Sequence, residues 1–222
     1  MHSLTLSDRQ IPADLGAKLD PAHTALVLID MQNEFCSPRG YVAQQGWDIT
    51  PMQAMAERLR GFVAAARRHV RVIHVRGQYE PVYLVDQMVD RLHSANIAPY
   101  CQPGTHGWKF YPGFEPEAGE IVVTKRSYSG FANTELELVL RNLHVRTFVA
   151  AGTFTNVCVD TTVRDGYARG FYPVIAEDLT ACPEPEQHSA ALATLGRFFG
   201  TVVPSARITE LWDAYYQPTA PV

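Results

Sequence analysis

Long apolar runs, an excess of positive charge and a cysteine-rich pattern are all missing from this sequence of 222 residues. No apolar stretch reaches the roughly 18 residues of a membrane-spanning helix, so we expect no association with a membrane. Residues 1–20 contain no apolar segment typical of a signal peptide. Four cysteines in a chain of this length do not form a disulfide framework, so we expect a reduced, cytoplasmic protein.

Basic patches and paired histidines are missing too. The formal net charge is −4 and no stretch is strongly basic, so we expect no nucleic-acid partner. The eight histidines are scattered, and none is paired at the spacing of metal ligands. We therefore expect neither a bound metal nor another cofactor.

Apolar runs that alternate with amphipathic segments are present along most of the chain. Length and a hydrophobic content of 46% suit one α/β domain covering residues 1–222. Alternation of this kind predicts a doubly wound, mainly parallel six-stranded sheet with helices on both faces. The predicted strands cover residues 24–29, 70–75, 121–124, 145–151, 172–176 and 200–203.

Two segments lack this pattern. Residues 1–20 predict an N-terminal arm lying on the surface or on a partner subunit. Residues 79–119 are rich in Pro and Gly, and a long irregular insertion in a compact domain is typical of a lid or a binding loop. Its aromatic residues either wall a pocket or pack the loop onto the domain; they are Trp108, Phe110, Tyr111 and Phe114.

Cys158 follows the fourth predicted strand, where a helix is expected to begin after Thr155 and Asn156, both good helix caps. A thiol in the first turn of a helix is close to free N–H groups and to the positive end of the helix dipole, which favour the thiolate. A nucleophile on a sharp turn between strand and helix is also held beside donors for an oxyanion. The alternative is an inert buried cysteine.

Asp30 and Lys125 come directly after the first and third predicted strands. The carboxyl ends of parallel strands meet at one edge of a sheet, so both side chains are expected beside Cys158. A carboxylate there accepts the thiol proton, and an ammonium stabilises the anions that form. Alone, such an Asp is usually a cap and such a Lys usually a solvated charge.

Three separated motifs carry a resemblance to a known family. They are residues 28–33 (LIDMQN), Lys125 with residues 129–134 (SGFANT), and residues 152–159 (GTFTNVCV) followed by Thr162, Arg164 and Asp165. In this order they resemble the isochorismatase-like cysteine hydrolases over about residues 22–205. The resemblance implies a catalytic triad of Asp30, Lys125 and Cys158. It also implies a cis peptide between Thr153 and Phe154, with the N–H groups of Phe154 and Cys158 binding the oxyanion.

Within this family, the chain is most similar to amidohydrolases that act on small ureides such as ureidoacrylate, biuret or triuret. That similarity implies C–N cleavage through a thioester or thiocarbamate, a small-molecule substrate, and a homo-oligomer (dimer or tetramer). The residues expected to bind the substrate are Gln32, Phe35, Gln78, Tyr79, Arg126, Tyr128, Phe131 and Thr155. Arg126 either binds a substrate carboxylate or caps a surface.

Three other functions stay open. Nicotinamidases of the family bind a metal through an Asp-x-His motif, and residues 74–80 (HVRGQYE) do not contain it. Isochorismatases cleave a vinyl ether and can lack the cysteine. A catalytically silent binding module of the same fold is the third. Cys36, Cys101 and Cys182 are assigned no role.

Overall fold

The computed structural model describes residues 11–216, and its centre is a sheet of six strands. Residues 1–10 of the expected arm lie outside the described residues. Every pairing within the sheet is parallel, as expected for strands connected by helices. The strands are β1 (Thr24–Ile29), β2 (Arg71–Gly77), β3 (Ile121–Lys125), β4 (Thr147–Thr153), β5 (Tyr172–Ala181) and β6 (Thr201–Val203).

Helices occupy most of the connections between these strands. The α-helices are α1 (Leu15–Lys18), α2 (Asn33–Cys36), α3 (Tyr41–Gln44), α4 (Thr50–Ala66), α5 (Asp86–Ser94), α6 (Leu136–Asn142), α7 (Asp160–Ala168), α8 (Pro185–Phe198) and α9 (Ser205–Tyr216). Short 3-10 turns cover Pro21–His23 and Pro81–Tyr83, and a π-helical turn covers Thr155–Val159. No helix within residues 11–216 has the length and apolarity to cross a membrane.

The strand order is β3-β2-β1-β4-β5-β6, which confirms the predicted doubly wound sheet. The strands that follow β1 in the chain are added first on one side of it, as β2 and β3, and then on the other side, as β4, β5 and β6. In open α/β sheets, ligands bind at the carboxyl ends of the strands beside such a reversal. This topology therefore predicts a site next to Ile29 and Gly152, which are paired partners in β1 and β4.

Both faces of the sheet are covered because β1 is apolar at every position and its side chains alternate between the faces. Leu26 and Leu28 belong to a core with the buried stripe of α4 and with Trp212 of α9. Ala25, Val27 and Ile29 belong to a second core that includes side chains of α6, α7 and α8. The expected helices on both faces are present.

The two segments without a regular pattern are anchored to the domain. Leu19 is fully buried, and its carbonyl accepts a hydrogen bond from Nε1 of Trp212 at 3.1 Å. In the insertion, the buried carboxylate of Glu34 accepts hydrogen bonds from the N–H groups of Cys101 and Tyr41 at 2.6 and 3.2 Å. This carboxylate therefore joins α2 to both α3 and the insertion. Movement of residues 79–119 as a lid stays a prediction.

Candidate active site

Asp30, Lys125 and Cys158 lie together at the carboxyl edge of the sheet. Asp30 follows β1, Lys125 is the last residue of β3, and Cys158 lies in the π-helical turn after β4. The ammonium nitrogen of Lys125 is 2.9 Å from Oδ2 of Asp30 and 3.3 Å from Sγ of Cys158. The Asp30 and Lys125 side chains have no exposed surface, and Cys158 is 6% exposed. The structure thus brings the three residues of the expected triad together.

Four acceptors surround the Lys125 ammonium, which has three protons to donate. Besides Asp30 and Cys158, it lies 3.1 Å from Oη of Tyr79 and 3.0 Å from the carbonyl oxygen of Ser127. Neither carboxylate oxygen of Asp30 accepts a well-aligned hydrogen bond from the described residues. The 2.9 Å contact with Lys125 is therefore an ion pair rather than a directed hydrogen bond, and Asp30 retains lone pairs for a proton from Cys158.

The protonation of the site follows from its burial. Burial raises the pKa of the Cys158 thiol to about 12, with Lys125 acting to lower it and Asp30 to raise it. Burial also acts to lower the pKa of Lys125, but the negative charges of Asp30 and Cys158 outweigh it and raise that pKa well above its ordinary value. At neutral pH the cysteine is therefore a thiol beside an ammonium. This corrects the expectation of a thiolate favoured by a helix dipole.

The backbone of Asp30 is fixed on three sides. Its N–H donates to the carbonyl of Val75 at 2.8 Å, and its own carbonyl accepts from the N–H of Gln32 at 2.7 Å and from Oγ1 of Thr153 at 3.1 Å. Its φ of 53° lies in the left-handed region, which Asp tolerates better than most residues. These contacts fix the backbone from which the carboxylate reaches the Lys125 ammonium, 2.9 Å away.

The turn that carries Cys158 differs from the expected capped helix. The Thr153–Phe154 peptide is cis, as the family resemblance implied. Neither Thr155 nor Asn156 caps a helix, because both side chains instead contact α8. Thr155 Oγ1 lies 2.8 Å from Nδ1 of His188, and the Asn156 amide donates to Oε1 of Gln187. The five residues Thr155–Val159 form a π-helical turn rather than the start of an α-helix.

Gly152 permits the close approach of β4 to β1 just before this turn. Its φ is +122°, and a Cβ there would lie 2.0 Å from the carbonyl oxygen of Ile29. Only glycine adopts this conformation without a severe clash. The glycine of the third motif therefore serves the geometry of the sheet edge.

A cavity of about 300 Å³ opens onto Cys158, and its walls are mainly aromatic. Phe35, Tyr79 and Tyr128, all expected to bind the substrate, line it; their binding role stays a prediction. The aromatic lining residues are Phe35, Tyr41, Trp47, Tyr79, Tyr100, Tyr128 and Phe154. Val157 and Arg91 complete the wall. This lining offers a largely apolar space with few polar groups.

The side-chain amides of Gln32 and Gln78, both expected to bind the substrate, form hydrogen bonds within the protein. The buried Gln32 amide donates to the carbonyls of Gly77 and Trp108, at 3.1 and 2.8 Å, and accepts from the N–H of Gly77 at 2.8 Å. The Gln78 amide donates to Glu80 at 2.7 Å and accepts from Nε1 of Trp108 at 3.1 Å. Neither residue lines the cavity.

Arg126, Phe131 and Thr155 also lie outside the cavity lining. Arg126 is 3.5 Å from the carboxylate of Glu80, and its guanidinium lies over the ring of Tyr83. Phe131 is buried in the core against other aromatic rings. Thr155 is fully buried at its contact with α8. For Arg126, the structure favours the alternative of a surface role over contact with the substrate.

Four further residues line the cavity that the sequence did not predict there: Tyr41, Trp47, Tyr100 and Arg91. The aromatic residues that were considered in the insertion pack against the domain: Phe114 is fully buried and Trp108 lies under the guanidinium of Arg76, 3.9 Å from it. The missed residues lie in short or irregular segments whose folding depends on long-range contacts such as those of Glu34. For Arg91, the available signal was its place on the polar helix of the insertion.

Within residues 11–216, no group of three or more His, Cys, Asp and Glu side chains is arranged to hold a metal. A larger depression, about 550 Å³, lies at the amino ends of the strands between residues such as Arg67, Arg71 and Val145. No candidate nucleophile lines it. The aromatic cavity is therefore the candidate active site.

Comparisons with known proteins show which family the chain resembles. A family model described as "Isochorismatase domain" matches residues 24–207. Ureidoacrylate amidohydrolase RutB of Methylobacterium radiotolerans is 35% identical over 200 residues, which are 83% of this chain and 77% of that protein. A cysteine hydrolase from Pseudomonas syringae pv. phaseolicola 1448A superposes with a TM-score of 0.79 at 26% identity, over 93% of this chain and 97% of that one. N-carbamoylsarcosine amidase from Thermoplasma acidophilum gives 0.66 at 26% identity, over 82% and 96%.

Proposed function

We propose that this chain, which belongs to the isochorismatase family, is a cysteine-dependent amidohydrolase that cleaves the C–N bond of a small carbamoyl or ureido compound. The chain is an enzyme, a hydrolase of C–N bonds other than peptide bonds, as its relatives named ureidoacrylate amidohydrolase are. The observation that carries the proposal is that Cys158, which lines the cavity, contacts the Lys125 ammonium, which in turn is paired with Asp30.

The chemistry begins with a neutral thiol. Sγ of Cys158 attacks the substrate carbonyl carbon while its proton passes to Asp30, and Lys125 stabilises the sulfur as it loses that proton. The carbonyl oxygen becomes an oxyanion, for which the N–H groups of Phe154 and Cys158 are the proposed donors; one such donor is typically worth about 2.7–4 kcal/mol.

Collapse of this intermediate breaks the C–N bond. The leaving nitrogen takes the proton from Asp30 and departs as ammonia or an amine, and the acyl group stays on Cys158 as a thioester or thiocarbamate. Asp30 then removes a proton from water, whose oxygen attacks the acyl carbon. The C–S bond breaks, and the sulfur recovers the proton. The net reaction consumes one water molecule per bond cleaved.

Ammonia release from a panel of compounds tests the proposal: ureidoacrylate, biuret, triuret, carbamoylsarcosine and nicotinamide. We expect release from at least one carbamoyl compound, and loss of at least 10³-fold in kcat for Cys158→Ser at unchanged thermal stability. Dialysis against a strong chelator is expected to leave the rate unchanged. Cleavage of isochorismate with no ammonia from the panel favours the ether hydrolase, and no turnover at all favours the silent module.

A further inference from the structure

The wall of the aromatic cavity contains one permanent charge. Among the described residues that line the cavity, Arg91 is the only one whose side chain is charged at all ordinary pH values. It belongs to α5, in the insertion. Burial raises the pKa of the Tyr41 phenol, and the nearby positive charge of Arg91 acts to lower it. The cation is therefore part of the cavity's electrostatic environment.

The Arg91 guanidinium forms no ion pair within residues 11–216. The other arginine expected near the site, Arg126, is already 3.5 Å from the carboxylate of Glu80. Three further carboxylates are adjacent in sequence to lining residues, and each has another partner. Glu34 accepts from the N–H groups of Cys101 and Tyr41, Asp48 from the N–H of Thr50, and Asp90 from Oγ of Ser94. The cavity thus contains a cation whose charge the described part of the chain does not neutralise.

A purely structural role accounts for Arg91 only in part. It lies in the last turn of α5, where a cation interacts favourably with the helix dipole. His93 lies in the same turn, and Arg91 could fill that role from any side of the helix. The interaction with the helix dipole therefore does not explain why Arg91 lies on the cavity wall. A guanidinium presents five donors in a fork that matches a carboxylate.

The remaining walls favour a flat substrate. Tyr41 and Tyr100 are stacked with ring centroids 4.3 Å apart, and Tyr79 packs edge-on against Tyr100 at 5.1 Å. Such surfaces bind the faces of conjugated or aromatic groups. Arg91 itself is exposed, so the recognition expected from it rests on the paired hydrogen bonds of its guanidinium rather than on exclusion of water. A volume of about 300 Å³ lies at the small end of the range for ligand pockets.

We infer that Arg91 is the residue that determines substrate specificity by binding a carboxylate, and that the substrate is an amide or ureide attached to a flat, conjugated acid. This inference rests on the proposed function, because the scissile carbonyl must reach Cys158 while the acid group reaches Arg91. Ureidoacrylate is a small member of this class, and ureido derivatives of benzoic acid are larger ones. Neutral ureides such as biuret are outside it.

Binding to the Cys158→Ser protein measures recognition separately from turnover. The probes are 3-ureidobenzoate and its uncharged amide, 3-ureidobenzamide, with affinities determined by titration calorimetry. We expect the acid to bind about 10- to 100-fold more tightly than the amide, as for a hydrogen-bonded charge pair. Adding Arg91→Gln is expected to remove this preference by weakening binding of the acid alone. Arg91→Lys is expected to retain part of it.

Arg126→Gln is the matched control, since it removes an arginine outside the cavity. We expect it to leave both affinities unchanged. The inference is overturned if Arg91→Gln weakens the affinity for both probes equally, or if Arg126→Gln weakens binding as much as Arg91→Gln does. It is also overturned if the protein with Arg91 intact does not prefer the acid, or if neither probe binds. Because these affinities require no catalysis, such results are distinct from failure of the amidohydrolase proposal, which is judged by ammonia release.

Discussion

At the scale of single residues, the protonation of Cys158 decides how the proposed chemistry starts. The thiol is 6% exposed, and burial outweighs the nearby Lys125 ammonium, so its pKa is raised to about 12. A thiol with this pKa is protonated at neutral pH. In the proposed mechanism, Asp30 therefore removes the proton during attack.

Alkylation of Cys158 by iodoacetamide provides a test of this state. A pKa raised from 9.0 to about 12 keeps the thiol protonated through pH 9, so the thiolate fraction rises about tenfold per pH unit. We expect the alkylation rate to rise in the same way from pH 7 to 10. Peptide mass spectrometry separates Cys158 from the other cysteines, with Cys158→Ser as the control. A plateau at or below pH 9 contradicts the prediction.

The proximity of Asp30, Lys125 and Cys158 was predictable from sequence because each lies at or after the end of an apolar strand, and parallel strands place such positions at one edge. The polar substrate contacts were not. Gln32 and Gln78 have the right chemistry for a ureide, but their amides bind groups of β2 and the insertion. Which partner a side-chain amide finds depends on the path of residues 79–119, and no local pattern specifies that path.

At the scale of elements, the turn that carries Cys158 is braced by α7. Oγ1 of Thr162 donates to the carbonyl of Cys158 at 2.6 Å and accepts from the N–H of Gly130 at 2.9 Å. The side chain is fully buried. It therefore joins the turn that carries Cys158 to the loop after β3, in which the carbonyl of Ser127 accepts a hydrogen bond from the Lys125 ammonium.

Thr162→Val is expected to lower the free energy of unfolding by about 1–3 kcal/mol, since it leaves the buried N–H of Gly130 without its partner at nearly constant volume. Thr161→Val is the matched control. Thr161 donates within its own helical segment, to the carbonyl of Val157 at 2.6 Å, and is partly exposed. Its loss is expected to cost about 0.5 kcal/mol or less. Urea denaturation of both variants makes the comparison, and equal costs would refute the bracing role.

The strands and long helices were predictable because apolar runs and 3.6-residue periodicity are local signals. In α4, Thr50–Ala66, the buried positions Met52, Met55, Ala56, Leu59, Phe62, Val63 and Ala66 recur at this period. The π-helical turn was not predictable from caps. Thr155 and Asn156 have good capping side chains, but α8 supplies them with other partners. The partners of these two side chains belong to an element that begins about thirty residues later in the chain.

At the scale of the whole molecule, one charge network connects α4 to the edge of the sheet. Glu120, just before β3, accepts from Arg67 at 2.8 and 3.0 Å and contacts Nε2 of His74 at 2.8 Å. Burial acts to raise the pKa of Glu120, but hydrogen bonds from Arg67, the N–H of Glu117 and His74 lower it to about 2. Burial lowers the pKa of His74, so its imidazole is neutral at pH 7.

This network predicts a loss of stability in acid. A carboxyl group whose pKa is lowered from 4.5 to about 2 on folding stabilises the protein above about pH 4.5, and that contribution disappears as the pH falls towards 2. We expect Glu120→Gln to flatten the pH dependence of the unfolding free energy in this window. Glu57→Gln removes the exposed partner of Arg60 on α4 and is expected to cost about 0.5 kcal/mol or less. An unchanged slope in Glu120→Gln would show that other groups cause the acid sensitivity.

The central claim is that an acyl group is carried by Cys158 during C–N hydrolysis. Wild-type protein is mixed with the compound of the panel that releases ammonia fastest, quenched in acid within milliseconds, and analysed by intact-mass and peptide mass spectrometry. We predict an added mass equal to the acyl group on the peptide containing Cys158, and none in Cys158→Ser. An adduct on another residue, or the same adduct in Cys158→Ser, would contradict the account.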